Sequence, residues 1–265
     1  MTLIITPYKT GSRSARALQK AIQARGDKVF VLRRAPKNPL NPILNWGNSE
    51  LPFKAKGVVI NPPQEVAKLT NKLRFFKLFD QGGAMVVPWT INSGDARMWG
   101  KVMVRTKLEG SGGDGIIVWK QGDGELPHAP LYTQYIGKTH EYRIHMARKG
   151  REGDFKPILI QRKVFKKTPE RPAPAQWEVR NHKHGFYFVA DNGNAEPIPK
   201  QVIDVAQCVM EDHLSGMHFC ALDVIYNNKT NKAHVLEGNT AIGMEGNTVE
   251  VYADYIHGML KEAGL

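Results

Sequence analysis

Cysteine is scarce in this chain: of 265 residues only Cys208 and Cys220 carry a thiol. Two thiols cannot staple a small secreted scaffold or complete an all-thiolate zinc site, so the chain reads as reduced and intracellular. Long hydrophobic runs are missing too. Nothing approaches the roughly 18 consecutive apolar residues of a membrane-spanning helix. The opening Met1-Thr2-Leu3-Ile4-Ile5-Thr6-Pro7 is too short for a signal peptide. A cytoplasmic protein without a membrane partner is expected. Acids are outnumbered, 25 Asp and Glu against 37 Lys and Arg, for a net charge of +12. That excludes an acidic disordered solvator and points to an anionic partner without saying which.

The charge is unevenly spread. Residues 1–60 hold eleven Lys/Arg against two acids, residues 138–183 thirteen against five, and residues 204–265 three against nine. A basic front and middle with an acidic tail fits a cleft with two electrostatic walls better than a uniform polyanion-binding coat. Aromatics are thin in the basic front, where only Tyr8, Phe30, Trp46 and Phe53 occur. Single-strand nucleic-acid binding interleaves such rings with cations, so nucleic acid is possible but not favoured.

Along the chain, Leu3–Ile5 is a short apolar run and Ser12 an N-cap ahead of Ala15, Leu18, Ala21 and Ile22 at helical spacing; Gly26 stops that helix. Val29–Leu32 then reads as a second strand, giving a βαβ opening. Residues 36–52, with Pro36, Pro39, Pro42 and Pro52, have loop composition, and Gly57–Ile60 forms a third short strand. From Glu65 one helix is expected, with Val66, Leu69, Leu73, Phe76 and Phe79 on a face and Gly82-Gly83 at its end. Further strands are expected at 102–104, 116–119, 131–135, 142–147, 158–164, 186–189, 219–226 and 233–237. Helices are expected at 199–214 and around Val249–Leu260. Both cysteines are expected to pack structurally.

Three constellations carry chemical possibilities. The first, Gly110-Ser111-Gly112-Gly113-Asp114-Gly115 between two strands, would let backbone N–H groups approach a phosphate, with Lys101, Arg105 and Lys107 adding charge. It matches neither familiar nucleotide fingerprint, since no Lys-Ser/Thr follows and no helix opens; a flexible hairpin tip is the plain alternative. In the second, a turn at 227–232 makes Asp223 and Glu237 near-opposite on a hairpin, and period-two alternation puts Asn239 on Glu237's face. Two carboxylates and an amide in an apolar hairpin suit Mg²⁺ on nucleotide phosphates, or else pairing with Lys or Arg. The third is Arg143 in Glu141-Tyr142-Arg143 with Lys163 in Gln161-Arg162-Lys163. These two share a face able to meet a triphosphate, or simply face solvent.

Taken in order, these pieces resemble the ATP-grasp superfamily, particularly carboxylate–amine ligases similar to the ribosomal-protein glutamate ligase and the stand-alone ligases of phage genomes. The matching parts are Asn71-Lys72 and Val86-Val87-Pro88-Trp89-Thr90, Lys101–Arg105, the loop 110–115, Tyr132-Thr133-Gln134-Tyr135-Ile136, Glu141-Tyr142-Arg143, Gln161-Arg162-Lys163, Asp223, and Glu237-Gly238-Asn239-Thr240-Ala241. The resemblance implies an α/β (α+β) ATP-grasp fold: a small parallel α/β domain over 1–64, a small grasp subdomain over 65–130 and a large one over 131–265. It further implies that the glycine-rich loop closes over phosphates with Lys101 nearby and Arg105 in the place of the usual lysine. The backbone of Gln134, Tyr135 and Ile136 would hold adenine, and Asn181 would lie near the same site. Arg143 and Lys163 would act at the transferring phosphate, while Asp223, Glu237 and Asn239 hold one or two Mg²⁺. One departure stands out. Gly137-Lys138-Thr139-His140 follows the hinge where an acid usually holds the ribose, so no ribose ligand is assigned.

The implied reaction joins an anionic carboxylate substrate, small or an acidic peptide, to an amine through an acyl phosphate, releasing ADP and phosphate. A kinase on the same architecture is the alternative, and a nucleic-acid binder with a nucleotide-sensing grasp is a third.

Overall fold

The computed structural model describes residues 2–81, 84–110, 112–150, 153–168, 177–190 and 196–264. Three sheets organise them. The first holds β1 (Thr2–Pro7), β2 (Lys28–Val31), β3 (Ile43–Trp46) and β4 (Val59–Ile60), all parallel, in the order β2-β1-β3-β4. Between β1 and β2 runs α1 (Arg13–Gln23), where Ser12 Oγ accepts the Ala15 N–H as cap and Ala15, Leu18, Ala21 and Ile22 face inward. Strand β3 corrects the loop expected over residues 36–52. Its four residues are all buried, and a strand covered on both faces shows no alternation to betray it among the surrounding prolines.

The helix expected from Glu65 is two: α2 (Pro63–Thr70) and α3 (Lys72–Phe76). Asn71 between them is extended at φ −115°, ψ 121°, and its side chain accepts the Arg74 N–H, so it ends one helix and caps the next. The expected stop at 82–83 lies outside the described residues. The second sheet, antiparallel, takes the order β5-β8-β6-β7 from β5 (Trp89–Thr90), β6 (Lys101–Arg105), β7 (Ile116–Lys120) and β8 (Leu131–Gln134). Against it packs α4 (Ser93–Arg97), burying Ala96 with Val102, Val104, Trp119 and Tyr132.

The third sheet is antiparallel and five-stranded, β11-β10-β9-β12-β13. Its strands are β9 (His140–Arg148), β10 (Phe155–Phe165), β11 (Phe186–Ala190), β12 (Phe219–Asn227) and β13 (Lys232–Asn239). Its apolar face packs on α3, on α5 (Lys200–Cys208) and on the wider helical turn Val209–His213, with Val202, Ala206, Met210 and Leu222 in one core. A second core joins Leu3, Ile5 and Trp46 of the first sheet to Phe219 and to Tyr252 and Ile256 of α6 (Thr248–Glu262). Cys220 is buried, as expected of a packing thiol, whereas Cys208 is exposed at the end of α5, which corrects the packing role expected of it.

Candidate functional site

The polar face of the third sheet and the second sheet enclose a cleft of about 970 Å³. Period-two alternation explains its charge. On β9, Glu141, Arg143 and His145 point the same way; β10 adds Gln161 and Lys163, β12 adds Asp223, and β13 adds Glu237 and Asn239. Strand registers align four of them in one row, because Gln161 pairs with Arg143, Arg143 with Asp223, and Asp223 with Glu237.

Arg143 grips Asp223 with two parallel bonds, Nε to Oδ1 at 2.7 Å and Nη2 to Oδ2 at 2.8 Å. Its Nη1 has no partner among the described residues. Burial pushes the Asp223 carboxyl upward, but the guanidinium outweighs it and holds the group ionised, below its usual range. Beside this pair, Glu141 is buried between Lys138, at 2.7 Å, and Lys163, which also donates to the Arg180 carbonyl at 2.9 Å. Burial alone would neutralise Glu141; the two ammonium groups keep it below the ordinary carboxylate range. Glu237 goes the other way. Burial and then the Asp223 charge raise it, with Lys72, Arg105 and Arg143 opposing.

Glu237 accepts no hydrogen bond among the described residues, and the neighbouring Asn239 leaves its buried amide nitrogen unpartnered. An amide with no donor role to fill can turn its oxygen inward instead. Two cation-ready groups side by side, one with its charged form disfavoured, fit a hard divalent ion; the outer lone pairs of Asp223 complete the donor set. Among the described residues, no group of three or more His, Cys, Asp or Glu converges as a metal cage, so the donor set here is two carboxylates and an amide.

Opposite lie Arg105, Gly112, Gly113, Gln134, Tyr135 and Ile136. Arg105 is 5% exposed, and its Nε reaches only Thr133 Oγ1 at 3.4 Å, so burial lowers its pKa and leaves its charge available. Asn181 ties the glycine-rich loop to the large sheet's side: Nδ2 donates to Gly112 O at 2.9 Å, while Oδ1 accepts from His184 N–H. Gly113 is there by necessity, since at φ +80° a Cβ would sit 2.7 Å from Val179 Cγ1. Two sequence-predicted residues stand off the cleft. Lys101 pairs with Glu178 at 2.8 Å and lies 3.9 Å from the Tyr135 ring centre, and Gly110 accepts from Lys72 Nζ instead. Ser111 lies outside the described residues.

Sequence reasoning gave no role to Lys72, Lys138, Gln161 and Thr248, of which the last three border the cleft. Lys72 was visible as the residue after the helix-capping Asn71. Lys138 stood where an acid was sought, and its partner three residues on, Glu141, was the available signal.

Against solved structures, the ATP-grasp ligase PsnB complexed with minimal precursor matches at 14% identity, covering 97% of this chain and 98% of that one, with a TM-score of 0.65. A RimK domain ATP-grasp protein from Sphaerobacter thermophilus matches at 12% identity, over 95% and 98%, with a TM-score of 0.61. This chain has the ATP-grasp fold. D-alanine–D-alanine ligase from Bacillus anthracis matches it over 99% and 95% at 10% identity, TM-score 0.65. No family model and no curated protein matches the sequence. The match to ATP-grasp architecture therefore rests on shape: three sheets in this order, with the charged cleft between the second and third.

Proposed function

We propose that this protein is an ATP- and Mg²⁺-dependent ligase that joins a carboxylate to an amine through an acyl phosphate, releasing ADP and phosphate. The carrying observation is the row Gln161–Arg143–Asp223–Glu237 facing a glycine-rich loop across a cleft of nucleotide size. PsnB, which shares the fold, has also been solved with minimal precursor, Mg and ADP, which supports the same ligands here.

Each residue's part follows from its surroundings. Gln134–Ile136 offer backbone groups at the cleft edge for a base, and Arg105 with the N–H groups of Gly112 and Gly113 face the phosphates. Arg143 is held by Asp223 through Nε and one Nη2 hydrogen, which fixes the plane in which Nη1 and the second Nη2 hydrogen are left to donate charge-assisted bonds to a transferring phosphoryl oxygen. Lys163 is fixed by Glu141 and adds positive potential without moving. Glu237, Asn239 and Asp223 would hold Mg²⁺, which when bound supplies the positive charge that lets a carboxylate approach a phosphate. No covalent nucleophile is required: Cys220 is buried away from the row, its thiol pushed by burial up to about 12.

The test is ADP release from ATP and Mg²⁺ with pools of carboxylic acids and amines. Wild-type protein is expected to release ADP only when both pools are present, and Glu237→Gln to lose about 10²-fold or more. Equal release by the two proteins ends the reading. ADP release with an acceptor that is neither acid nor amine would assign a kinase.

A further inference from the structure

Next to Arg143 on the third sheet, starting from its strand partner Gln161, a chain of four buried side chains has a fixed direction. Tyr252 is fully buried, and among the described residues its hydroxyl meets only His145 Nδ1, at 3.1 Å. A buried hydroxyl proton left without an acceptor keeps its full desolvation cost, so Tyr252 donates and Nδ1 accepts. Burial lowers the His145 pKa to about 4; the neutral ring therefore carries its proton on Nε2, which donates to Gln161 Oε1 at 3.1 Å. With its oxygen occupied, Gln161 donates through Nε2 to Thr248 Oγ1 at 3.1 Å. Thr248 has thus accepted a bond, and its own proton has no partner among the described residues. It is 1% exposed, borders the cleft, and is the first residue of α6. The opposite sense of the chain would strand the Tyr252 proton in the core.

We propose that Thr248, polarised as a donor by Tyr252 through His145 and Gln161, is the binding residue for a carboxylate oxygen of the acid substrate. A donor committed in this way accepts an anion or carbonyl and rejects an ammonium group, so the acid lies at the α6 end of the cleft. The helix N-terminus adds favourable partial charge there. Glu245, the acid on the adjoining loop, is exposed at the rim where solvent screens it. Thr248 is a contact residue in this assignment; His145, Gln161 and Tyr252 are positioning residues. The proposal deepens the ligase reading and rests on it for the acid's being a substrate.

The experiment titrates succinate and its diamide into the full chain, with and without a non-hydrolysable ATP analogue and Mg²⁺, by calorimetry. Wild type is expected to bind succinate in preference to succinamide. Thr248→Val weakens succinate about 10- to 100-fold, the span of a hydrogen bond to a charged acceptor, while Thr248→Ser restores it. Tyr252→Phe weakens it less and leaves analogue binding unchanged. Nitrogen-15 spectra of wild type are expected to show His145 protonated at Nε2 only. Equal succinate binding by wild type and Thr248→Val, no preference over the diamide, no binding of either probe, or a proton on Nδ1 each overturns the assignment. Preference for succinate that depends on Thr248 without ADP release from any acid and amine would keep the subsite and sink the ligase reading. ADP release with an unchanged KM for the acid in Thr248→Val would do the reverse.

Discussion

Asp223 and Glu237 are direct neighbours across a hairpin and burial raises both, yet their net shifts run in opposite directions because only Asp223 has a cation bonded to it. Removing that cation exposes the difference: Arg143→Met leaves a buried carboxylate unpaired and is expected to cost about 3–5 kcal/mol, read as a lowered denaturation midpoint. Glu237→Gln relieves a disfavoured charge, so it should lose activity while keeping or raising the midpoint. The histidines set the pH dependence. His145 and His218 are each lowered to about 4, by burial first and then by Arg143 and Arg148 respectively. In the unfolded chain they bind protons near the ordinary value of about 6.5, and the folded chain resists until about 4. Stability is therefore fully present above pH 6.5 and is lost as pH falls toward 4, by up to about 3 kcal/mol for the fully buried His145. Glu237, raised in the fold, opposes this slope, since the fold gains a proton there before the unfolded chain does. Melting temperature should thus fall from pH 7 to 4.5, less steeply in His145→Gln and more steeply in Glu237→Gln. A flat profile in wild type contradicts the assignment.

Four glycines of the glycine-rich loop, Gly110, Gly112, Gly113 and Gly115, have positive φ, and two of them differ in a way that makes the loop testable as an element. Gly112 at φ +66° has no atom within 4 Å of a Cβ position, whereas at Gly113 that position meets Val179 at 2.7 Å and Asn181 at 3.2 Å. Both alanine variants pay for left-handed backbone, about 1–2 kcal/mol; only Gly113→Ala also pushes the loop off its contact with 179–181. Nucleotide affinity should fall further in Gly113→Ala, by about tenfold relative to Gly112→Ala; equal losses would show that the contact does not position the loop. Elements of this kind differ in how far they could be read beforehand. The β12–β13 hairpin was legible, since two apolar runs flank a polar turn at 227–232, and the two-residue period of a strand placed Glu237 on the face of Asn239. Strand β3 was hidden because a central parallel strand has no polar face, and the α2–α3 break was hidden because Leu69, Leu73 and Phe76 keep helical spacing across Asn71. The Lys163 arm of the Lys138–Glu141–Lys163 triad and the Tyr252–His145–Gln161–Thr248 chain join residues distant in sequence. What decides them is burial of the third partner, which periodicity does not report.

At the scale of the molecule, the first sheet is basic on its surface but shares its core with the tail. Trp46, fully buried on β3, lies 6.0 Å from the Phe219 ring and 6.3 Å from Tyr252, the latter edge-on. Among the described residues of 1–60, Arg25 is the cation found in ion pairs, at 2.9 Å to Glu250 and 2.7 Å to Asp254 of α6. Those acids are 60% and 71% exposed, so the pairs are worth about 0–1 kcal/mol. The join is thus mainly apolar, supplemented by Asp27 against His257 of α6 at 2.6 Å and by Asn61, whose amide bonds the backbone of His218 and Phe219. Trp46→Ala should cost about 3–5 kcal/mol, and Arg25→Ala less than about 1 kcal/mol. Because Phe219 begins β12, four residues before Asp223, loosening Trp46 loosens the strand that carries the acid bonded to Arg143. Hydrogen exchange should show β1, β12 and α6 amides losing protection together in Trp46→Ala, with β6 and β7, whose core is separate, retaining theirs. Loss confined to β1–β4 would mean that residues 1–64 form an independent unit, and the basic front could then be moved or replaced without touching the cleft; shared loss means that any partner gripping that front pulls directly on β12.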